Sequence, residues 1–115
     1  MVTRIKSGSR MSQAVVHGNT VYLAGQVASD TSADTAGQTR QILATIDSLL
    51  AEAGTDKRHV LAATVYLTDM STFNEMNAAW EAWIAPGCAP TRATVGAPLA
   101  SSAYRVEIVM TAARP

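Results

Sequence analysis

The chain has 115 residues, 48% of them apolar and 16% charged, with nine lysines and arginines balanced by nine aspartates and glutamates. That is the size of one compact domain with a single core, and too apolar a chain to stay disordered. Zero net charge without a basic cluster argues against a dedicated nucleic-acid binder, whose affinity comes largely from neutralising phosphates. Cys88 is the sole cysteine, so no intrachain disulfide can form, and a cytoplasmic home is expected. His17 and His59, far apart in sequence, give no zinc-ligand spacing with it. The opening MVTRIKSGSR has no apolar signal core, and no run approaches the roughly 20 apolar residues of a membrane span. We therefore expect one soluble domain over residues 1–115, apolar enough to bury some surface between subunits.

A short opening strand is marked at Val2 to Ile5. Two β-rich runs follow, Ala14 to His17 and Thr20 to Val27, split by Gly18-Asn19, a two-residue hairpin signal. TSADTAGQ breaks this pattern, and Thr35 with Gln38 three residues later is spaced as a capping box. Ile42, Ile46, Leu49, Leu50 and Ala53 then mark one face of a helix, which Gly54 is placed to end. Val60 to Asp69 is β-branched and apolar with little alternation, as in a strand buried on both faces or beside another strand. Thr72 and Glu75 suggest a second capping box, and Phe73, Met76, Trp80, Trp83 and Ile84 line one face of a second helix stopped by Pro86-Gly87. Strands at Thr91 to Gly96 and Tyr104 to Ala113 close the chain. This order implies an α+β layer fold, a mixed β-sheet with two helices packed on one face. Its free face needs a cover, and subunit association is the simplest.

Arg92 interrupts the strand TRATV, sharing a face with Thr94. On the last strand Glu107 lies on the face opposite Val106, Ile108 and Met110. If these two strands pair, Arg92 and Glu107 approach each other. They then form a structural ion pair or remain solvated, or else Arg92 serves as a carboxylate clamp, for which the planar guanidinium fork is suited. Asn77 sits on the apolar stripe of the second helix. Its amide needs partners there, either an internal carbonyl or a ligand in a pocket. Gly25-Gln26 at the end of the hairpin suggests a bulge or a close backbone approach. The tryptophans read as core before they read as a stacking platform, and the histidines as solvated residues. No nucleophile elbow, Walker loop or HExxH motif is present.

Five stretches in order, SRMSQAVVHGNTVYLAGQV, QTRQILATIDSLLAEAG, VLAATVYLTDMSTFNEMNAAWEAWI, APTRATV and VEIVMTAA, resemble the RidA/YjgF family of reactive-intermediate deaminases, in particular its shorter YoaB-like branch. The likeness covers nearly the whole chain. It implies a chorismate-mutase-like fold assembled as a homotrimer with clefts between subunits. It also implies hydrolysis of small 2-imino or enamine acids, such as 2-aminoacrylate, to 2-oxo acids and ammonia without metal or cofactor.

The family's P-x-R motif puts the substrate-carboxylate arginine on Arg92, and its VEI motif puts the acidic residue on Glu107. Asn77 matches the helix motif, and Gly25 and Gln26 match the GQ motif. Three positions depart from the usual deaminase pattern: Met11 stands for a tyrosine, Ala24 for a serine and Thr94 for a cysteine. Met11 becomes an apolar lid, and specificity or rate should change with the lost hydrogen-bonding groups. The alternative implied by the altered pocket is a non-catalytic trimer that binds small carboxylic acids and regulates a partner. No nucleic-acid or membrane partner is expected.

Overall fold

The computed structural model describes all 115 residues. Six strands form one sheet: β1 (Val2–Ser7), β2 (Ser12–His17), β3 (Thr20–Leu23), β4 (Val60–Leu67), β5 (Thr91–Gly96) and β6 (Val106–Ala113). Two helices, α1 (Thr35–Glu52) and α2 (Phe73–Trp83), separate them. The strand order is β1-β2-β3-β6-β4-β5, with β4 and β5 parallel and the other pairs antiparallel. The element order read from the sequence holds, and so does the mixed sheet. No helix is long and apolar enough to cross a membrane.

The topology follows from two crossovers. α2 joins the parallel neighbours β4 and β5, while α1 carries the chain from β3 to β4, leaving a slot that β6 fills. A crossover between parallel strands takes one hand almost without exception, so both helices fall on the same side. Their apolar stripes meet the inward residues of the sheet. Ile42, Ile46, Leu50 and Met76 pack with Val21, Val65, Val106, Ile108 and Met110 in one cluster, each of them almost wholly buried. β6 alternates buried and half-buried residues along its whole length, and the half-buried set faces away from the helices. β4 was expected to be buried on two faces or flanked. It is flanked by β6 and β5, and only one of its faces is buried within the chain.

Several local expectations change. The β2–β3 turn has a positive φ at Gly18 but not at Asn19, the pattern of a type II′ turn. β1 runs to Ser7, two residues past the expected end, because Ser7 still pairs with Ser12. β3 ends at Leu23, not Val27. The strand bends out at Ala24-Gly25 and touches the sheet again only where Gln26 and Ile108 exchange backbone hydrogen bonds of 2.9 and 3.1 Å. The last strand begins at Val106, not Tyr104.

Neither capping box forms. α1 is capped by Asp34, whose carboxylate accepts from the Gly37 amide at 2.8 Å. Thr72 makes no capping bond to α2, and Glu75 instead reaches across to accept from the Ala36 amide at 3.0 Å. An acidic side chain of one helix thus serves the open amides at the start of the other. At the far end the Trp83 indole donates to both oxygens of Asp47 at 3.1 Å, and Lys57 Nζ donates to the Trp83 carbonyl at 2.7 Å.

Gln38, freed from capping, is fully buried. Its amide donates to the carbonyls of Ala33 and Ala103 at 3.2 Å and, more weakly, to Thr31 at 3.4 Å. Its oxygen accepts from the Arg105 amide at 2.9 Å. One side chain therefore staples the loop before α1 to the loop before β6. Gln38→Leu leaves these buried backbone groups without partners and should cost about 2–4 kcal/mol, read as a lower urea midpoint at fixed protein concentration.

Three surface turns are held by aspartates. The carboxyls of Asp30 and Asp69 lie below their ordinary range, chiefly because they accept hydrogen bonds from Ser32 and Ser71, and that of Asp56 lies well below it because of Arg58. A depressed folded-state pKa adds stability above the unfolded value, and that stability is lost as pH falls through the folded one. Urea stability should therefore be level above about pH 5 and decline below about pH 4, with a shallower decline in Asp56→Asn.

Candidate functional site

β5 is the strand that places Arg92. As the second half of the β4–α2–β5 unit it lies beside β4, where Arg92 is in register with Ala63, which in turn faces Met110 of β6. Ala63 and Met110 are core residues on the helix side, so Arg92 points the same way. There its guanidinium carbon lies 5.1 Å from the Trp80 ring centroid and 5.9 Å from that of Phe73, both on α2. Nη1 donates to Met76 Sδ at 3.9 Å, a weak bond. The two ion pairs of the chain, Lys6 with Glu52 and Arg58 with Asp56, do not include it. A half-buried cation without a counter-ion is costly, and two aromatic faces offset only part of that cost. No carboxylate of the chain pairs with Arg92.

Thr94 is two residues along on the same face, and its buried hydroxyl has no hydrogen-bond partner. Such groups are few in folded proteins. Asn77 of α2 is half-buried and makes no side-chain hydrogen bond within the chain, so the internal carbonyl considered for it is not its partner. Arg92 and Thr94 thus share one face of β5, and Asn77 on α2 is a further polar side chain without a partner inside the chain.

Glu107 lies elsewhere. It is in register with Tyr66 of β4, which faces Val95 of β5, on the side of the sheet turned away from the helices. The expected approach of Arg92 and Glu107 does not occur within one chain. β4 separates β5 from β6, and the two side chains leave opposite faces. Glu107 instead borders a 340 Å³ cavity with Tyr66, Ala97, Pro98, Leu99 and Val109.

Gly25 lies in the bend after β3. A Cβ there would run into the end of the Glu107 side chain, so what a side chain at this position disturbs is the Glu107 carboxylate and not a strained backbone angle. Ala24 beside it is half-buried; its amide donates to the Gln13 carbonyl at 2.9 Å, and its own carbonyl accepts from Gln26 Nε2 at 3.1 Å. Met11, in the turn between β1 and β2, is 49% exposed, with its side chain free to cover a neighbouring surface. The sequence-derived residues therefore fall into two groups: Arg92, Thr94 and Asn77 on the helix side, and Glu107 with Gly25 on the other.

The sequence reads Phe73 as core and Trp80 as core ahead of a stacking platform; both rings in fact face Arg92. The available signal was Asn77 on the same helical stripe, but turning it into a cradle requires knowing that β5 lies beside β4. Gln38, spaced as a cap, is likewise a buried bridge between two loops.

The fold is a mixed six-stranded sheet with two helices on one face, an unpaired arginine on its edge strand and a carboxylate close to Gly25. The comparisons give it a family: the chain belongs to the RidA/YjgF family, matched over residues 1–114 by the family model described as Endoribonuclease L-PSP. A RutC family protein of Haemophilus ducreyi is 48% identical over 113 residues, covering 98% of this chain and 97% of that one. The RutC family protein YoaB of Escherichia coli K12 is 43% identical over 112 residues, with 97% of each chain covered. A crystal structure of a YjgF family member from Neisseria meningitidis superposes with a TM-score of 0.97 at 43% identity, covering all of this chain and 96% of that one.

Because the group a Gly25 Cβ would meet is the movable end of Glu107, Gly25→Ala should fold with less than about 1 kcal/mol of lost stability. It should still displace the carboxylate. We expect about 10- to 100-fold loss of any Glu107-dependent activity with a near-normal thermal midpoint, measured side by side.

Proposed function

We propose that this protein is an enamine/imine deaminase, hydrolysing small 2-imino or enamine carboxylic acids to 2-oxo acids and ammonia. The observation that carries the reading is Arg92, a half-buried guanidinium set against Phe73 and Trp80 and paired with no carboxylate of its own chain. A substrate carboxylate fits this place as a two-point, charge-assisted partner. The Thr94 hydroxyl and the Asn77 amide are free to complete its hydrogen bonds.

The chemistry then asks little of the protein. The imine carbon is already electrophilic, so catalysis requires an oriented water and a proton carrier. Glu107 takes a proton from water as its oxygen bonds to the imine carbon and the C=N π pair moves to nitrogen. Glu107 passes that proton to the nitrogen, giving the carbinolamine; the carbinolamine hydroxyl then yields its proton through Glu107 to the nitrogen as the C–N bond breaks, leaving the 2-oxo acid and ammonia. An enamine enters the same route after protonation at carbon.

Arg92 and Glu107 leave opposite faces of one sheet, so this mechanism requires Arg92 of one copy and Glu107 of another. A homotrimer with clefts between subunits supplies that arrangement and covers the bare sheet face. Met11 would close over such a cleft as an apolar lid. The replacement of hydroxyls by Met11 and Ala24 is the feature favouring the second reading, a trimer that binds small carboxylates without turning them over. The ribonuclease description carried by the family model finds little support in a chain of zero net charge, given how far RNA affinity rests on phosphate neutralisation.

The test is to generate a 2-imino acid enzymatically and follow its loss. The wild type should accelerate hydrolysis, and Arg92→Ala and Glu107→Gln should each fall by about 100-fold or more. Mixing the two inactive variants, after dissociation and reassembly, should restore activity if each site draws on two copies. No acceleration by the wild type over the spontaneous rate would remove the deaminase reading. Calorimetric binding of a 2-oxo acid without turnover would establish the second one.

A further inference from the structure

The outer face of the helix layer carries a groove that plays no part in the chemistry at the sheet. α1 and α2 run side by side in the same direction, since Glu75 meets the Ala36 amide near their starts and Asp47 meets the Trp83 indole further along. Between them, Leu43 and Ala44 of α1 and Ala79 and Ala82 of α2 line a depression of 240 Å³. The exposed positions are small: Ala44 and Ala82 are open to solvent, as are Ala51 on α1 and Ala78 on α2. A solvated helix face ordinarily carries long charged side chains. α1 has Arg40, Asp47 and Glu52 alone in 18 residues, and Glu52 is taken by Lys6.

Arg40 and Asp47 both border the groove. Seven positions apart, they lie on one side of α1 but about 10 Å apart along its axis, too far to pair with each other. Arg40 belongs to neither ion pair of the chain. Asp47 is held in place by Trp83, whose indole donates to both of its oxygens at 3.1 Å, and that neutral donor leaves its charge unmatched. The midpoint between the two charges falls at Leu43 and Ala44. Half a turn about that midpoint lays each charge over its opposite.

We propose that a second copy of this chain docks here, helix layer to helix layer about a twofold axis beside Ala44, with Arg40 of each copy paired to Asp47 of the other. A twofold contact must be complementary to itself, which calls for opposite charges at equal distances from the axis. α1 has that arrangement, with a small exposed residue between the charges. Any other partner would have to bring an acid and a base at the same spacing, whereas a second copy carries them. The alanines let the helices approach to about 8 Å, the short end of helix packing. The groove faces away from the bare side of the sheet. The contact therefore links whatever assembly the sheet face forms, and it does not depend on the deaminase reading.

The experiment is sedimentation of the full chain over a range of concentrations up to about 1 mM, the weak end of specific association. The wild type should pass from its basal assembly to a larger one, and about 0.5 M salt should weaken that step. Arg40→Glu and Asp47→Lys each set like charges against each other at both pairings, and each should lower the association constant about tenfold or more. An equimolar mixture of the two variants matches acid to base at both pairings again and should recover the association. Ala44→Glu places two carboxylates at the axis while leaving the Trp83–Asp47 bonds in place, so it should abolish the step in a protein that is otherwise folded. A wild type without the larger species, Arg40→Glu and Ala44→Glu proteins that associate as the wild type does, or a mixture that fails to recover would each overturn the contact.

Discussion

Both crossover helices lie on one side of the sheet, and most of the rest follows from that asymmetry. The handedness of β–α–β connections puts α1 and α2 together, so one face gains a core and the other gains nothing. Along β6 the buried residues face the helices, while Glu107, Val109 and Thr111 remain half-buried within the chain. Tyr22, Leu61 and Val95 are exposed by half or nearly so. A sheet of six strands with one bare face is the condition under which a chain of this size has apolar surface to share.

The helix side is not uniformly apolar either. β5 is an edge strand, and at its Arg92 and Thr94 positions the core gives way to polar groups while α2 still passes overhead. An edge position matters here. Deeper in the sheet a guanidinium would lose nearly all its hydration, whereas beside α2 it keeps part of it and trades the rest for the faces of Phe73 and Trp80. These rings bury apolar area and cradle a cation at once, so calling Trp80 core is right but describes only one side of the ring. The buried Thr94 hydroxyl has no comparable compensation.

The sequence made periodic features plain and cross-strand relations obscure. Helix faces, the Gly18-Asn19 turn and the Gly54 stop depend on residues within a few positions of each other, and these were legible. The capping boxes failed because a Ser/Thr-x-x-Glu spacing does not say whether another partner lies nearer. Asp34 stood one residue ahead of Thr35, and Glu75 found the Ala36 amide 39 positions away. The pairing of β5 with β6, which would bring Arg92 and Glu107 together, does not form for a related reason. Chain neighbours often pair, but the parallel crossover through α2 claimed the edge of β4 for β5, and β6 took the slot between β3 and β4. That Arg92 and Glu107 occupy opposite faces is not readable from either strand.

That separation constrains what the chain can do alone. A carboxylate and a guanidinium on opposite sides of a sheet neutralise neither each other's charge nor a shared substrate. Each is left half-buried without a counter-charge in the chain, Arg92 against aromatic rings and Glu107 against a glycine and a cavity bordered by Tyr66, Leu99 and Val109. Had they formed an internal ion pair, the fold would have gained a modest contact and lost both groups for binding. Leaving them apart keeps a cation and an anion available, at a cost the core must cover. The glycine at position 25 points the same way, since its missing Cβ opens space at the Glu107 carboxylate and does not relieve any strained backbone angle.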